Sequence, residues 1–419
     1  MSKQSTVPTE QTTVSQARRS DLKRITMVTT PGDGSCGIGT YARDLIDGIE
    51  AIDAEVIEIP QDDHSVSGFL KLALRAAWAS PDVVHVQHEY GLFRRDGSKY
   101  PGVLGVIFFP ILYFACALQS KDIVVTMHSV LGLDPDEVPF SVRLYLLLMH
   151  KLLAICSSHL IFLAPDCASK FRDHIALGPE EFSLLSHGVN TDVSSDVSQA
   201  QAKRRFGYDP EDTVIAIPGF IRPPKGHDIF IEVASKLPEY EFMVAGGARP
   251  KGEDFEFAEQ IKSEAPDNVT VTGVLDDDDY WTALKVPDLA VLPYRVVTQS
   301  GTFNACATQE LPILASDAEY FKRIASTWGT PETVDISDVD EVTKRIRQLL
   351  QDESRRTCLA ETIAQYKQVN SFEQVGVEHC RIYHQMENST KSGLEQSTDS
   401  TQFPEVSAAC SAQQRVPTD

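Results

Sequence analysis

Short apolar runs rich in β-branched residues recur along most of this chain, each separated from the next by a longer stretch of helical character. RITMVTT (from Arg24), EVIEIP, DVVHVQHEY, DIVVTMH, HLIFLA and the region Ser183 to Gly188 form one series. TVIAIPGFI, YEFMVAGG, NVTVTG, DLAVLPY and PILAS form a second. Strands that are apolar on both faces must be covered on both faces, so the pattern predicts parallel sheets wrapped by helices. Two series predict two doubly wound, Rossmann-like α/β domains, over 24–196 and 197–370, with a hinge at 190–196. Ligands of open α/β sheets bind beyond the strand C-termini, so a central cleft faced by both domains is the expected site.

The ends read differently. Residues 1–23 are polar and lack the apolar core of an export signal, which predicts a disordered tail on a cytoplasmic protein. Residues 387–419 are rich in Ser, Thr and Gln and are expected to be disordered as well. The formal charge of −22 argues against nucleic-acid binding, which needs a basic face. The eight cysteines form no close pair and read as reduced thiols, neither a zinc site nor a disulfide framework.

Tyr100 to Ser120 carries no charge and is long enough to span a bilayer. The strands on either side of it must join one parallel sheet, so the favoured reading is a buried crossover helix. The alternative is a patch lying on a membrane surface, helped by SVRLYLLLMHKLLAI.

Two turns look suited to anions. GDGSCG (Gly32 to Gly37) superficially matches a dinucleotide fingerprint but is offset from its strand. What survives is the set of amides near Gly37 to Thr40, at a helix N-terminus. A dehydrogenase reading would need this turn and a ribose carboxylate at Glu58, and the second domain lends it no support. GFIRPPKG (Gly219 to Gly226) sets Arg222 and Lys225 on a proline-stiffened turn, an arrangement that suits a diphosphate. His88 and Glu89 follow an apolar strand, where their polar tips suit acceptor hydroxyls or a structural hydrogen bond. The run Asp276 to Asp279 precedes a helix and reads as capping, so no metal is expected.

GIGTYARDL, VVHVQHEYG, VVTMHSV, LLSHGVNTD, FIRPPKGHDIFIEVASKL, MVAGG, VTVTG and DLAVLPY followed by PILAS occur in an order that resembles the group 1 glycosyltransferases. These are retaining, nucleotide-sugar-dependent enzymes of the GT-B fold, and the likeness runs from about Arg24 to Gln385. The resemblance implies an N-terminal acceptor domain, a C-terminal nucleotide-sugar domain and a last helix, at 371–386, that crosses back. It places Gly37 and Gly39 near the donor diphosphate, His128 near the donor sugar and Lys225 on phosphate, with Arg222 replacing the family's arginine beside Gly219. It implies a nucleotide-sugar donor as substrate, no cofactor or obligatory metal, and a glycan or lipid-linked acceptor. Peripheral contact with the cytoplasmic membrane face goes with such an acceptor.

The chain departs from the family where two glutamates are usual, since Val297 and Ala305 stand there. The turn Ser300, Gly301, Thr302 still precedes a helix whose amides can receive phosphate, and Gln299 or Asn304 is available for the sugar or ribose. A nucleotide-sugar epimerase of the same architecture and a non-catalytic nucleotide-sugar-binding protein stay open as alternatives.

Overall fold

The computed structural model describes residues 23–391, apart from 33–35, 53, 80, 96, 192, 194–196 and 249–253. All of the expected N-terminal tail but Lys23, the expected C-terminal tail beyond residue 391 and most of the expected 190–196 hinge therefore fall outside the described residues. The described chain divides into two units, 23–186 with 373–391, and 187–372.

The first unit runs β1 (Lys23–Thr29), α1 (Gly37–Glu50), β2 (Ala54–Pro60), α2 (Val66–Trp78), β3 (Val83–His88), α3 (Gly105–Ala117), β4 (Asp122–Met127), α4 (Phe140–Cys156), β5 (His159–Phe162), α5 (Pro165–Arg172) and β6 (Phe182–Leu184). Its six strands are parallel, in the order β2-β1-β3-β4-β5-β6. From β1 the chain steps one way to β2, then returns past β1 and proceeds through β3, β4 and β5. Right-handed crossovers therefore put α1 on one face and α2, α3 and α4 on the other, and α2 packs on α3 as α3 does on α4. Phe69 of α2, Phe108, Phe109 and Leu112 of α3, and Met149 of α4 form a core with Val84 and Val86 of β3. The charge-free segment is thus a crossover helix with Pro110 inside it. No described helix is long and apolar enough to cross a membrane.

The second unit runs α6 (Gln199–Arg205), β7 (Val214–Pro218), a 3-10 turn (Pro223–Lys225), α7 (His227–Ser235), β8 (Glu241–Ala245), α8 (Phe255–Glu264), β9 (Val269–Val271), α9 (Asp277–Ala283), β10 (Leu289–Leu292), α10 (Gly301–Thr308), β11 (Ile313–Ser316), α11 (Glu319–Trp328), β12 (Glu332–Val334), α12 (Val339–Gln351) and α13 (Glu353–Val369). Its parallel sheet has the order β12-β11-β10-β7-β8-β9. The last helix, α14 (Phe372–Lys391), belongs almost wholly to the first unit. His85 of β3 joins it there, with Nδ1 hydrogen-bonded to the Tyr383 hydroxyl at 2.7 Å and Nε2 to Thr126 Oγ1 at 2.8 Å.

The boundaries shift from those expected. β1 starts at Lys23 and α14 continues to Lys391. The chain leaves the first unit between Ser186 and His187, ahead of 196. Asn304 Nδ2 donates to the carbonyls of His187 and Gly188, and Val189 pairs with the 370–372 backbone, which ties this stretch to the second unit. Among the described residues Cys36, Cys116, Cys156, Cys167, Cys306 and Cys380 are free.

Candidate active site

In the second unit strand order reverses between β7 and β10, and a crevice opens at such a switch point beyond the strand C-termini. The turn leaving β7 enters it. Gly219 has φ +97°, and a Cβ there would stand 2.7 Å from Lys225 Nζ and 3.0 Å from Thr302 Oγ1, so only glycine lets these groups sit against the backbone. Lys225 Nζ donates to Thr302 Oγ1 at 3.1 Å and lies 5.5 Å from the Tyr294 ring centroid. Gly226, at φ +71°, starts α7 with its Cα hydrogens against the Pro293 carbonyl, where a Cβ would approach to 2.1 Å.

Arg295 fixes this turn from the β10 side. Its backbone N–H donates to the Pro224 carbonyl, its Nη1 to the Pro223 carbonyl, and its guanidinium grips both Asp228 carboxylate oxygens at 2.8 and 2.6 Å. Arg295 and Tyr294 escaped the sequence reading, although both directly follow the DLAVLP strand. Ser300 is buried and caps α10, its hydroxyl accepting from the Phe303 N–H, while the Gly301 and Thr302 amides lie in the first turn, where no intrahelical carbonyl accepts from them. Gly219, Lys225, Ser300, Gly301 and Thr302 therefore come together at one place.

Two other expected residues, Arg222 and Asn304, are arranged differently. Arg222 is a half-exposed ion-pair partner, its Nε donating to Asp254 Oδ2 at 3.2 Å. Asn304 is buried and committed to structure. Its Nδ2 serves the 187–188 segment and its Oδ1 accepts from the Tyr366 hydroxyl at 3.1 Å. Gln299 lies half-buried in the loop before α10. The two positions where glutamates were expected face the core, with Ala305 buried and Val297 packed against the same cluster.

In the first unit the corresponding switch point lies between β1 and β3, and α1 begins there. Residues 33–35 of the GDGSCG turn are not among those described. Gly39 needs its hydrogen, because a Cβ would lie 2.2 Å from the Pro31 carbonyl oxygen, whereas Gly37 has open space. His128, just beyond β4, has Nε2 hydrogen-bonded to Gln87 Oε1 at 2.8 Å and sits edge-on to Tyr41 of α1 at 4.9 Å. Gln87 is held in turn by a contact from Nε2 to Met27 Sδ at 3.2 Å. Gln87 was also missed, hidden beside the more conspicuous His88.

His88 does not offer a polar tip. Alternation along β3 sends His85 and Gln87 to the α14 side and Val84, Val86 and His88 into the core. His88 is fully buried, stacked on Phe93 at 5.3 Å and near Tyr90 and Phe109, with neither ring nitrogen hydrogen-bonded. Burial, then the neighbouring His150, pushes its pKa down to about 3, so the ring is neutral. Glu89 is mostly buried, and desolvation raises its pKa despite hydrogen bonds from Ser129 and the Tyr90 and Gly91 amides. The aspartate run caps α9 through Asp276, which accepts from the Asp279 N–H, and Asp279 pairs with Arg205. No cluster of metal-ligating side chains occurs among the described residues.

Residues 198–366 match the family described as "Glycosyl transferases group 1". The alpha-D-kanosaminyltransferase of Streptomyces kanamyceticus is 24% identical over 326 residues, covering 74% of this chain and 81% of that protein. A D-inositol 3-phosphate glycosyltransferase of Mycobacterium sp. (strain JLS) is 38% identical over 74 residues, 18% of this chain and 17% of that protein. Among solved structures, sucrose-phosphate synthase from Thermosynechococcus elongatus superposes with a TM-score of 0.67 at 15% identity, over 88% of this chain and 100% of that one. Anabaena Alr3699/HepE, solved with UDP and glucose, gives 0.64 at 13% identity, over 88% and 99%. At such identities the structures speak for a shared fold, the two-unit GT-B architecture. The second unit, over residues 198–366, is thus similar to the group 1 glycosyltransferases, and the chain around it has the GT-B fold.

Proposed function

We propose that the protein transfers a sugar from a nucleoside diphosphate sugar to an acceptor hydroxyl with retention of anomeric configuration, without a cofactor or obligatory metal. The observation that carries the reading is the group formed by Lys225, Thr302 and Gly219 beside the start of α10. In the reaction the bond from the sugar's anomeric carbon to the diphosphate breaks, the electron pair stays on the leaving oxygen, and the acceptor oxygen bonds to that carbon from the same face and passes its proton to the departing phosphate. Negative charge grows on the diphosphate as the bond breaks. A fixed ammonium and oriented amides gain most at that moment. His128, with Nε2 fixed by Gln87, and the Gly37–Gly39 turn are the first unit's proposed contributions. The acceptor is of the glycan or lipid-linked kind, and the name of one relative, an alpha-galactosylglucosyldiacylglycerol synthase, supports the lipid-linked one. Peripheral contact with the cytoplasmic membrane face fits a lipid-linked acceptor.

The test is product analysis by mass spectrometry with a panel of nucleotide sugars and lipid-linked acceptors, run on the wild type and on Lys225→Ala. Loss of one such preorganised donor lowers turnover by about 100- to 1,000-fold, with a smaller effect on donor binding. Near-normal turnover in Lys225→Ala would refute the leaving-group role. Anomerically inverted product would refute retention.

A further inference from the structure

The outer sides of α2, α3 and α4 carry an exposed apolar face that the core does not use. On α2, Val66, Leu70, Leu74 and Trp78 recur every fourth residue and are all exposed, Trp78 at 57%. On α4, Phe140, Leu144, Leu148 and Ile155 keep to the same helical side, with Phe140 at 73% and Ile155 at 67%. Between them the end of α3 adds Phe114 and Leu118, at 66% and 83%. The three helices lie side by side on one face of the sheet, so these stripes form a single surface. The long apolar segment supplies little of it, since most of α3 is core.

The charge on this surface is as selective as its apolarity. The three helices, of 13, 13 and 17 residues, contain no Asp or Glu, in a chain where 60 of 419 residues are acidic. They do carry Lys71, Arg75, Arg143 and Lys151, of which all but the half-buried Arg143 are exposed. Acidic residues return in the loops just ahead, Asp62 and Asp63 before α2, and Asp134, Asp136 and Glu137 before α4. Basic side chains beside apolar stripes, with a tryptophan at a helix end, suit the interface of a bilayer bearing negative headgroups. A second copy of the same face would offer these basic residues no carboxylate from its own three helices, only further basic side chains.

We propose that the α2–α3–α4 face docks this protein on an anionic lipid bilayer, through Leu74, Trp78, Phe114, Phe140 and Leu148 in the headgroup boundary and the four basic residues on lipid charge. The inference deepens the peripheral contact proposed above and is independent of the transfer chemistry. Vesicle binding without transfer, or transfer to a soluble acceptor without vesicle binding, tells the two failures apart.

The experiment is co-sedimentation of the full-length protein with vesicles of phosphatidylcholine alone and with 30% phosphatidylglycerol, together with tryptophan emission. Binding is expected with the anionic vesicles, weakened by salt, with a blue shift that Trp78→Phe reduces. Each of Lys71→Ala, Arg75→Ala and Lys151→Ala is expected to weaken it about fivefold. The pair Leu74→Glu and Leu148→Glu, both at exposed positions, is expected to abolish it while circular dichroism stays unchanged. Absence of binding to either vesicle overturns the proposal, as does binding that survives Leu74→Glu and Leu148→Glu. Concentration-dependent self-association that this pair suppresses, with no vesicle binding, overturns it in favour of an interface between copies.

Discussion

Replacing His88 by Phe separates a core histidine from an acceptor-binding one. The ring lies between Phe93, Tyr90 and Phe109 with both nitrogens unpartnered, and its pKa is held near 3. In the unfolded chain the same imidazole titrates at about 6.5. Between these values only the unfolded state takes up the proton, so this residue's contribution to stability is intact above pH 6.5 and falls steadily as the pH drops toward 3. At pH 5 the unfolded state gains RT ln(1 + 10^1.5), or about 2 kcal/mol, while at pH 7.5 the term is near zero. His88→Phe removes it.

Urea unfolding of wild type and His88→Phe at pH 7.5 and 5.0, followed through the first unit's transition, reads the effect directly. The variant is expected to lose about 2 kcal/mol less than wild type between the two pH values. At pH 7.5 its stability is set by two opposing terms, relief of the buried unpaired nitrogens and any overpacking by the larger ring. Parallel pH profiles for the two proteins would refute the reasoning. A raised acceptor KM in a fully folded His88→Phe protein would restore the acceptor role that the burial denies.

The two glycines at the start of α1 are expected to behave differently. Gly39→Ala, with its Cβ driven against the Pro31 carbonyl, should destabilise the first unit by about 3 kcal/mol in denaturant titration, whereas Gly37→Ala should leave stability within about 0.5 kcal/mol. Asn304→Ala strips the hydrogen bonds that hold the 187–188 segment and is expected to cost the second unit about 2–3 kcal/mol. Donor affinity, measured by calorimetry on the folded fraction, should then be nearly unchanged, and a tenfold loss would show that the amide touches the donor.

The architecture was legible because it rests on local rules. Strands apolar on both faces must be covered, crossovers between parallel strands have one hand, and a turn such as GFIRPPKG announces itself by composition. Asp276 to Asp279 as a capping run, and Lys225 and the Ser300–Thr302 turn as residues of strand C-terminal ends, follow from patterns that act within a few positions of one another. What could not be read was direction. His88 and Gln87 are neighbours of equal polarity in the chain, and only the facing of β3 against its helices sends one into an aromatic core and the other to His128. Arg222 and Lys225 looked alike on one turn until Asp254, brought in from beyond β8, took the arginine. The same holds for the apolar surface. Sequence pointed to the charge-free stretch before β4, but burial consumes most of that helix, and the exposed stripes lie chiefly on its two neighbours. Local periodicity decides that a helix has an apolar side, and only packing decides whether a second apolar side is left over, because the sheet can cover one face of a helix but not both.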